Sequence, residues 1–292
     1  MPQKLLVLPQ SGIRVTPADS YRLPRASADA KLNELLVEWP LPSGFQFGCY
    51  LIPHRSRFSD IARGVECSVF EKFFGNTPEH MVDAYAPYEE NSLFLLVVDQ
   101  SQRKAAGALR IILPSPKGLK SLNDISGEPL YVDAEQIVQY HAIADPRRCW
   151  DIGTLAVLKE YRAAASDHMV SLMLYGQLYA LLRRRDIDHM VTVLDRHAYA
   201  QLTELLGVPF VSIAGSEPFS YLGSDHSRAS YLHLPSVESS VEAHIERLTP
   251  EVQQLLQAYV ARLLHREGMS ELIEVQEDVE RTGRVPMARL TR

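Results

Sequence analysis

Cysteine is scarce in this chain of 292 residues: there are three, Cys49, Cys67 and Cys149, scattered and odd in number. No CxxC pair and no Cys/His ligand spacing accompanies them, so neither a disulfide framework nor a zinc site is expected. Reduced thiols in a cytoplasmic setting are. An excess of positive charge is also lacking. The formal net charge is -6, which argues against nucleic acid as a bulk electrostatic partner. No apolar run approaches the ~20 residues of a membrane span. Lys4 precedes only the short apolar run at 5–8, too brief for the core of a signal peptide. There is no internal repeat, no low-complexity tract, no metal cluster and no Ser/His/Asp setting for a nucleophile.

What is present is an ordinary globular composition, 46% hydrophobic and 23% charged, ample for a sizeable core. Residues 1–45 are punctuated by Pro2, Pro9, Pro17, Pro24, Pro40 and Pro42 and read as an extended arm, with one short helix over 28–37. From 46 to 235 the periodicity alternates. Strands are expected at 45–52, 92–99, 105–113, 149–157, 189–194, 210–214 and 229–234, the second and third as a hairpin. Helices are expected at 59–74, 77–88, 133–140, 169–185 and 197–206. Thr77 with Pro78 behind it forms a cap-and-first-turn signal. The helix from Met169 is apolar nearly all round, so it belongs against a sheet; Tyr175 within it reads as core. Two further helices fill 236–268, the second with an apolar stripe from Val252 to Leu264. The segment 269–292 is polar and reads as a mobile tail. The fold class is mixed α/β, with helices on both faces of one sheet.

One stretch, 149–182, organises the rest. An apolar strand, Cys149–Val157, passes through a basic turn at 159–162 into the long helix. A helix N-terminus with free N–H groups and a favourable dipole holds phosphate well. Arg162 and the amides of Ser166 and His168 are the candidate ligands, although Ser166 and Asp167 also suit a helix start with no anion bound. Asp151 is an acid inside an apolar strand, where burial raises a carboxyl pKa unless a partner compensates. An ion pair to Arg110 is the plain structural alternative. Gly153 admits close approach of backbone or ligand and marks a possible bulge.

The element order, together with Thr154-Leu155-Ala156-Val157 and the Glu160-Tyr161-Arg162 that follows, resembles the GNAT acyltransferase superfamily. Gly107-Ala108-Leu109-Arg110 running to Pro114, and Trp150-Asp151-Ile152-Gly153-Thr154, resemble motifs of its acyl-homoserine-lactone synthase and N-acyl amino acid synthase branch. The likeness spans about residues 46–234. The chain departs from the superfamily at Ala165 and Asp167, where glycine or alanine is usual, at Arg196 in place of an Asn, and at Thr203 in place of a Tyr general acid.

The resemblance implies a mostly antiparallel central sheet and transfer of an acyl group from a pantetheine thioester, acyl-CoA or acyl carrier protein, to the amine of an amino-acid-like or small amine acceptor. Such chemistry needs a base for the amine, fixed N–H groups for the carbonyl oxygen and a held pantetheine arm. Asp151 is the expected base and Glu90 a second carboxylate for that role. Arg110 is expected to orient an acceptor carboxylate. The amides of Gly153, Thr154, Leu155, Ala156 and Val157 are expected to hold pantetheine and the oxyanion, and Arg162, Ser166 and His168 the phosphate. The missing glycines and Asp167 disfavour a pyrophosphate and lean towards a carrier-protein donor, or towards loss of donor binding altogether. No metal is implied. The alternative is a catalytically silent GNAT-like domain that binds a metabolite or a protein partner, with the 252–264 stripe as its docking helix.

Overall fold

The structure is a computed structural model that describes residues 17–162 and 168–276. Apolar runs of β-branched and aliphatic residues form the strands β1 (Phe47–Pro53), β2 (Ser92–Asp99), β3 (Lys104–Ile112), β4 (Cys149–Val157) and β5 (His189–Asp195). Shorter strands follow: β6 (Val211–Ser212), β7 (Phe219–Tyr221), β8 (Ser224–His233) and β9 (Leu272–Glu274). They make one sheet in the order β6-β8-β5-β4-β3-β2-β1-β9, with β7 paired to β8. The β4–β5 and β1–β9 pairs are parallel and the others antiparallel.

The described helices are α1 (Pro17–Tyr21), α2 (Arg25–Glu38), α3 (Ser59–Phe74), α4 (Pro78–Tyr85), α5 (Lys120–Ile125), α6 (Ala134–Tyr140), α7 (Met169–Arg184), α8 (Arg196–Ala200), α9 (Val237–Glu246) and α10 (Pro250–His265). One face of the sheet carries α7 with α9 and α10 over it, sharing a core of Leu109, Ile152, Leu174, Leu178, Leu182 and Leu263. The other face carries α2 and α3 on β1–β4, and α5 and α6 nearer β5 and β8. An α7 that is apolar all round is thereby covered on both sides, by sheet and by α10. The stripe on α10 packs inward through Leu256, Leu263 and Leu264, while Val252 and Leu255 near its start are exposed.

Several expectations change. The arm is helical over Arg25–Glu38, because Leu32, Leu35 and Leu36 recur at helical spacing and bury against α3. Part of the polar tail, Leu272–Glu274, is a strand: it satisfies the otherwise open edge of β1 through Cys49↔Leu272 to Leu51↔Glu274. Residues expected as loop form α5, and the Gly/Ser-rich loop before β8 contains β7. The helix expected over 197–206 is α8 followed by a π-type turn, Gln201–Leu205.

Candidate functional site

Strands β4 and β5 run side by side for four rungs, from Cys149↔His189 to Ile152↔Thr192, and then part. Beyond the last rung β4 stays paired to β3 as far as Val157, and β5 stays paired to β8 as far as Asp195. Gly153, Thr154, Leu155, Ala156 and Val157 therefore present their β5-facing backbone to an open fork. Two local features set it. The Thr192 hydroxyl donates to the Ile152 carbonyl at 2.8 Å, pinning the last rung. Gly153 is an extra residue in β4, since Arg110 faces Thr154 while Ile111 faces Ile152. A one-residue bulge reverses side-chain parity. Trp150 and Ile152 before it, and Leu155 and Val157 after it, all face α7, whereas Asp151 and Thr154 both face the α3–α5 side.

A cavity occupies the fork. It passes through the sheet. On one face it is lined by Phe70 and Phe74 of α3 and by Tyr221, Leu222, Ser224 and Ser227 of the β7–β8 hairpin. On the other it is lined by Tyr175, Leu178, Tyr179 and Leu182 of α7, one turn apart along a single stripe. Its edges are Gly153–Leu155 on one strand and Thr192–Asp195 on the other, and most of its wall is aliphatic or aromatic. The hairpin turn bridges to α3: Asn76 donates to the Leu222 carbonyl at 2.7 Å, and a Cβ on Gly223 would stand 2.2 Å from the Phe74 carbonyl oxygen. Only glycine, at φ 81°, permits that approach.

Behind the fork lies a polar seam. Arg110 is fully buried. Its Nε and Nη2 donate to Glu66 at 3.1 and 2.7 Å, its Nη1 to Glu89 at 2.6 Å, and Nη2 also to the Tyr21 hydroxyl. Burial alone would lower its pKa, but Glu66, Tyr21 and Glu89 push it well up. Arg110 thus spends four of its five N–H donors inside the protein and is fully buried, away from the cavity wall, and the expected Arg110–Asp151 pair does not form. Thr154 donates its hydroxyl to Glu66, which ties the fork to this network. Glu90 is exposed; the turn of 3-10 helix at Ala86–Asn91 sends its neighbour Glu89 inward instead. Burial would raise the Glu89 pKa, but Arg110 and Arg63 hold it below the ordinary value.

Asp151 is fully buried and accepts from Ser121, its Oδ2 from the backbone N at 2.6 Å and its Oδ1 from the hydroxyl at 2.7 Å. Burial lifts its pKa to about 6, opposed by those two hydrogen bonds. Its side chain fastens the start of α5 and does not reach the cavity wall, so it is not placed to touch an amine there. Tyr221 does line that wall. Its hydroxyl donates to Asp124 and accepts from the Lys120 ammonium at 2.8 Å. The ammonium also bonds Asp124 and lies 4.9 Å from the centre of the Tyr85 ring. Tyr85 in turn donates to the Gly153 carbonyl at 2.8 Å, satisfying the bulge. Burial pushes the Tyr85 and Tyr221 pKa values well up.

At the outer end, Arg162 donates from Nε to the Val157 carbonyl at 2.7 Å and stacks over Phe73 at 3.9 Å. Burial lowers its pKa, and the charge of Asp195 across the fork opposes this. Asp195 caps α8, accepting from the N–H groups of His197 and Ala198. His168 stands at the start of α7 with φ 56°. Ser166, with Ala165 and Asp167, lies outside the described residues. Thr203 is spent on the Tyr199 carbonyl at 2.7 Å within its own helix. Tyr175, by contrast, lines the cavity, and burial raises its pKa. Among the described residues no group of three or more His, Cys, Asp or Glu side chains is arranged to hold a metal ion, and no helix is long and apolar enough to cross a membrane.

Sequence reasoning reached the strand edge and missed Lys120, Asp124, Tyr221 and Tyr175. The Lys120/Asp124 spacing was visible as an i, i+4 pair. Nothing in the sequence placed it beside Tyr221, about a hundred residues away.

Neither protein-family models nor curated proteins give a match to this chain. Solved structures do. FeeM, an N-acyl amino acid synthase from uncultured soil microbes, superposes with a TM-score of 0.50 at 14% identity, over 66% of this chain and 93% of that one. The CoA-dependent acyl-homoserine lactone synthase BjaI, with SAM and isopentyl-CoA, gives 0.47 at 12% identity over 81% and 99%. A GNAT-family acetyltransferase from Staphylococcus aureus Mu50 gives 0.38 at 12% over 64% and 99%. With its mostly antiparallel sheet and forked parallel pair, the chain has the GNAT fold.

Proposed function

We propose that this chain is an N-acyltransferase that moves an acyl group from a pantetheine thioester to the amine of an amino-acid-like or small amine acceptor. The observation that carries this reading is the apolar cavity that opens along Gly153–Leu155, the start of the β4 edge that β5 leaves unpaired. The backbone there offers an extended partner for the amide groups of pantetheine, and the cavity offers an apolar sleeve for an acyl chain. The fold shared with an N-acyl amino acid synthase supports the same class of acceptor. Arg162, beyond the end of β4, and the N–H of His168, at the start of α7, are the described groups that would meet the donor's phosphate, whether on coenzyme A or on a carrier protein. Three free, buried cysteines support a cytoplasmic setting.

In this reaction the acceptor nitrogen attacks the thioester carbonyl. The developing oxyanion meets backbone N–H groups at the bulge. The nitrogen's proton passes to Tyr221 as the tyrosine's own proton moves to Asp124. The C–S bond then breaks, the Tyr175 hydroxyl donates a hydrogen bond to the departing thiolate, and the thiolate takes its proton from solvent as it leaves, while Asp124 returns one to solvent. Burial raises the Tyr175 pKa, so the phenol stays neutral and acts as a hydrogen-bond donor. Asp151 supports the site from behind, through Ser121 and α5.

The test is thiol release from a panel of straight-chain acyl-CoA and acyl-pantetheine thioesters in the presence of mixed amino acids, with the amide product identified by mass spectrometry. Release that requires an amine supports the reading. Thioester binding without release in any combination instead favours a silent, ligand-binding domain, the reading to which Thr203 in place of a tyrosine points.

A further inference from the structure

The cavity does not end inside the fold's common core. Its inner wall includes Val237 of α9 and Leu263 of α10, beside Leu234 and Leu182. Both helices lie beyond β8, outside the strand-and-helix order that forms the fork. Val237 and Leu263 are buried, at 3% and 4% exposure. Leu263 reaches the wall because α10 sits unusually close to α7: a Cβ on Gly176 would stand 2.7 Å from the Arg262 carbonyl oxygen. Glycine at that position lets the two backbones touch. Val237 is the first residue of its helix, held at the end of β8. From Asp195 at the mouth to Met190 near the floor, β5 spans roughly 16 Å.

We propose that α9 and α10 act as the gauge of acyl chain length, with Val237 and Leu263 as the stop against which the terminal methyl rests. This rests on the acyl-transfer reading above and adds the specificity determinant to it. The substrate class is a straight, unfunctionalised aliphatic acyl group, because the floor is lined by aliphatic side chains with no polar group among these four. The stop belongs to the C-terminal helices, so chain length is set by a part of the protein separate from the groups that handle the thioester.

The experiment measures binding of non-reactive S-alkyl coenzyme A and S-alkyl pantetheine thioethers of increasing chain length by calorimetry. With the native chain, affinity rises about fourfold per methylene until the floor is met and then stops rising. Leu263→Phe and Val237→Phe move that break to shorter chains, and Leu263→Ala moves it to longer ones. Leu255→Ala, on the exposed side of α10, leaves it unchanged. Thermal melts and circular dichroism of each variant verify folding, and the cavity-enlarging and cavity-filling variants must shift the break in opposite directions, which simple destabilisation does not do. A break at the same length in all folded variants overturns the gauge while leaving acyl transfer standing. If no thioether of any length binds the native protein, the acyl-transfer reading falls, and the gauge with it.

Discussion

The Thr192 hydroxyl donates to the Ile152 carbonyl at the last rung joining β4 to β5. One residue further along, the strands are apart and the cavity begins. A side chain from one strand thus closes the backbone of the other where the ladder stops. Thr192→Val keeps the shape and removes the bond. It is expected to cost about 1 kcal/mol in a urea titration. It should also weaken thioester binding, because the fork's apex loses its fixed position. Binding unchanged within error would separate the rung from the site.

Gly153 is a second fixed point. Its added Cβ would stand 3.1 Å from both Ile112 Cδ1 and Tyr85 Cε1, so a larger side chain must push the wall that holds the bulge. Gly153→Val is expected to destabilise by about 1–3 kcal/mol, and to lower thioester affinity with it. A variant as stable as the parent would mean that the bulge is not packed as the structure has it.

The Arg110 network predicts an asymmetry. Arg110→Met leaves Glu66 without its cation in a fully buried setting, while Glu89 keeps Arg63, and is expected to cost about 3–5 kcal/mol. Thr154→Val removes one hydroxyl from the same Glu66 and is expected to cost about 1 kcal/mol. Chemical denaturation of the two variants checks the ratio; equal costs would show that Glu66 draws little from Arg110.

Proton transfer separates three acidic and phenolic groups. Tyr221→Phe and Asp124→Asn are expected to lower turnover roughly 100-fold or more, with thioester binding little changed. Asp151→Asn, acting only through Ser121, is expected to lower it far less. If Asp151→Asn is the variant that abolishes turnover, the base runs through α5 and not through Tyr221.

Asp151 also sets a pH dependence. Its pKa in the folded chain is raised to about 6 from an ordinary 3.8, so the folded state binds this proton more tightly than the unfolded chain does. The contribution to stability is fully present below about pH 4 and is lost as pH rises through about 6, a swing of roughly 3 kcal/mol. Melting temperature followed from pH 4 to 7.5 should therefore fall, relative to Asp151→Asn, as pH rises. Parallel curves for the two proteins would contradict the buried, protonatable carboxyl.

Much of this was legible beforehand, for local reasons. The runs 92–99 and 149–157 are apolar enough to be strands in any context, and α7 is too apolar to be anywhere but inside. Gly153 in mid-strand signalled a bulge, which β4 has. What local pattern cannot carry is partner choice. Glu89 and Glu90 are neighbours of identical chemistry, and only the phase of a short 3-10 turn decides which one meets Arg110. Tyr175 reads as core because its helix is apolar throughout; it faces a cavity only because two strands part beneath it. Leu272–Glu274 looks like tail until an open edge of β1 is there to receive it.

The sequence by itself determined the strands β1 to β5, the long helices α3, α7 and α10 and the strand whose edge forms the candidate donor site, because hydrophobic periodicity and glycine placement are local properties. Tertiary structure alone decided that Asp151 binds Ser121, that Arg110 is enclosed by carboxylates, and that Tyr221, Asp124 and Lys120 meet beside the fork. It also decided that α9 and α10 close the cavity's inner end. Each of these joins residues distant in the chain, and which buried charge finds which partner is settled only when the sheet and its two layers of helices have packed.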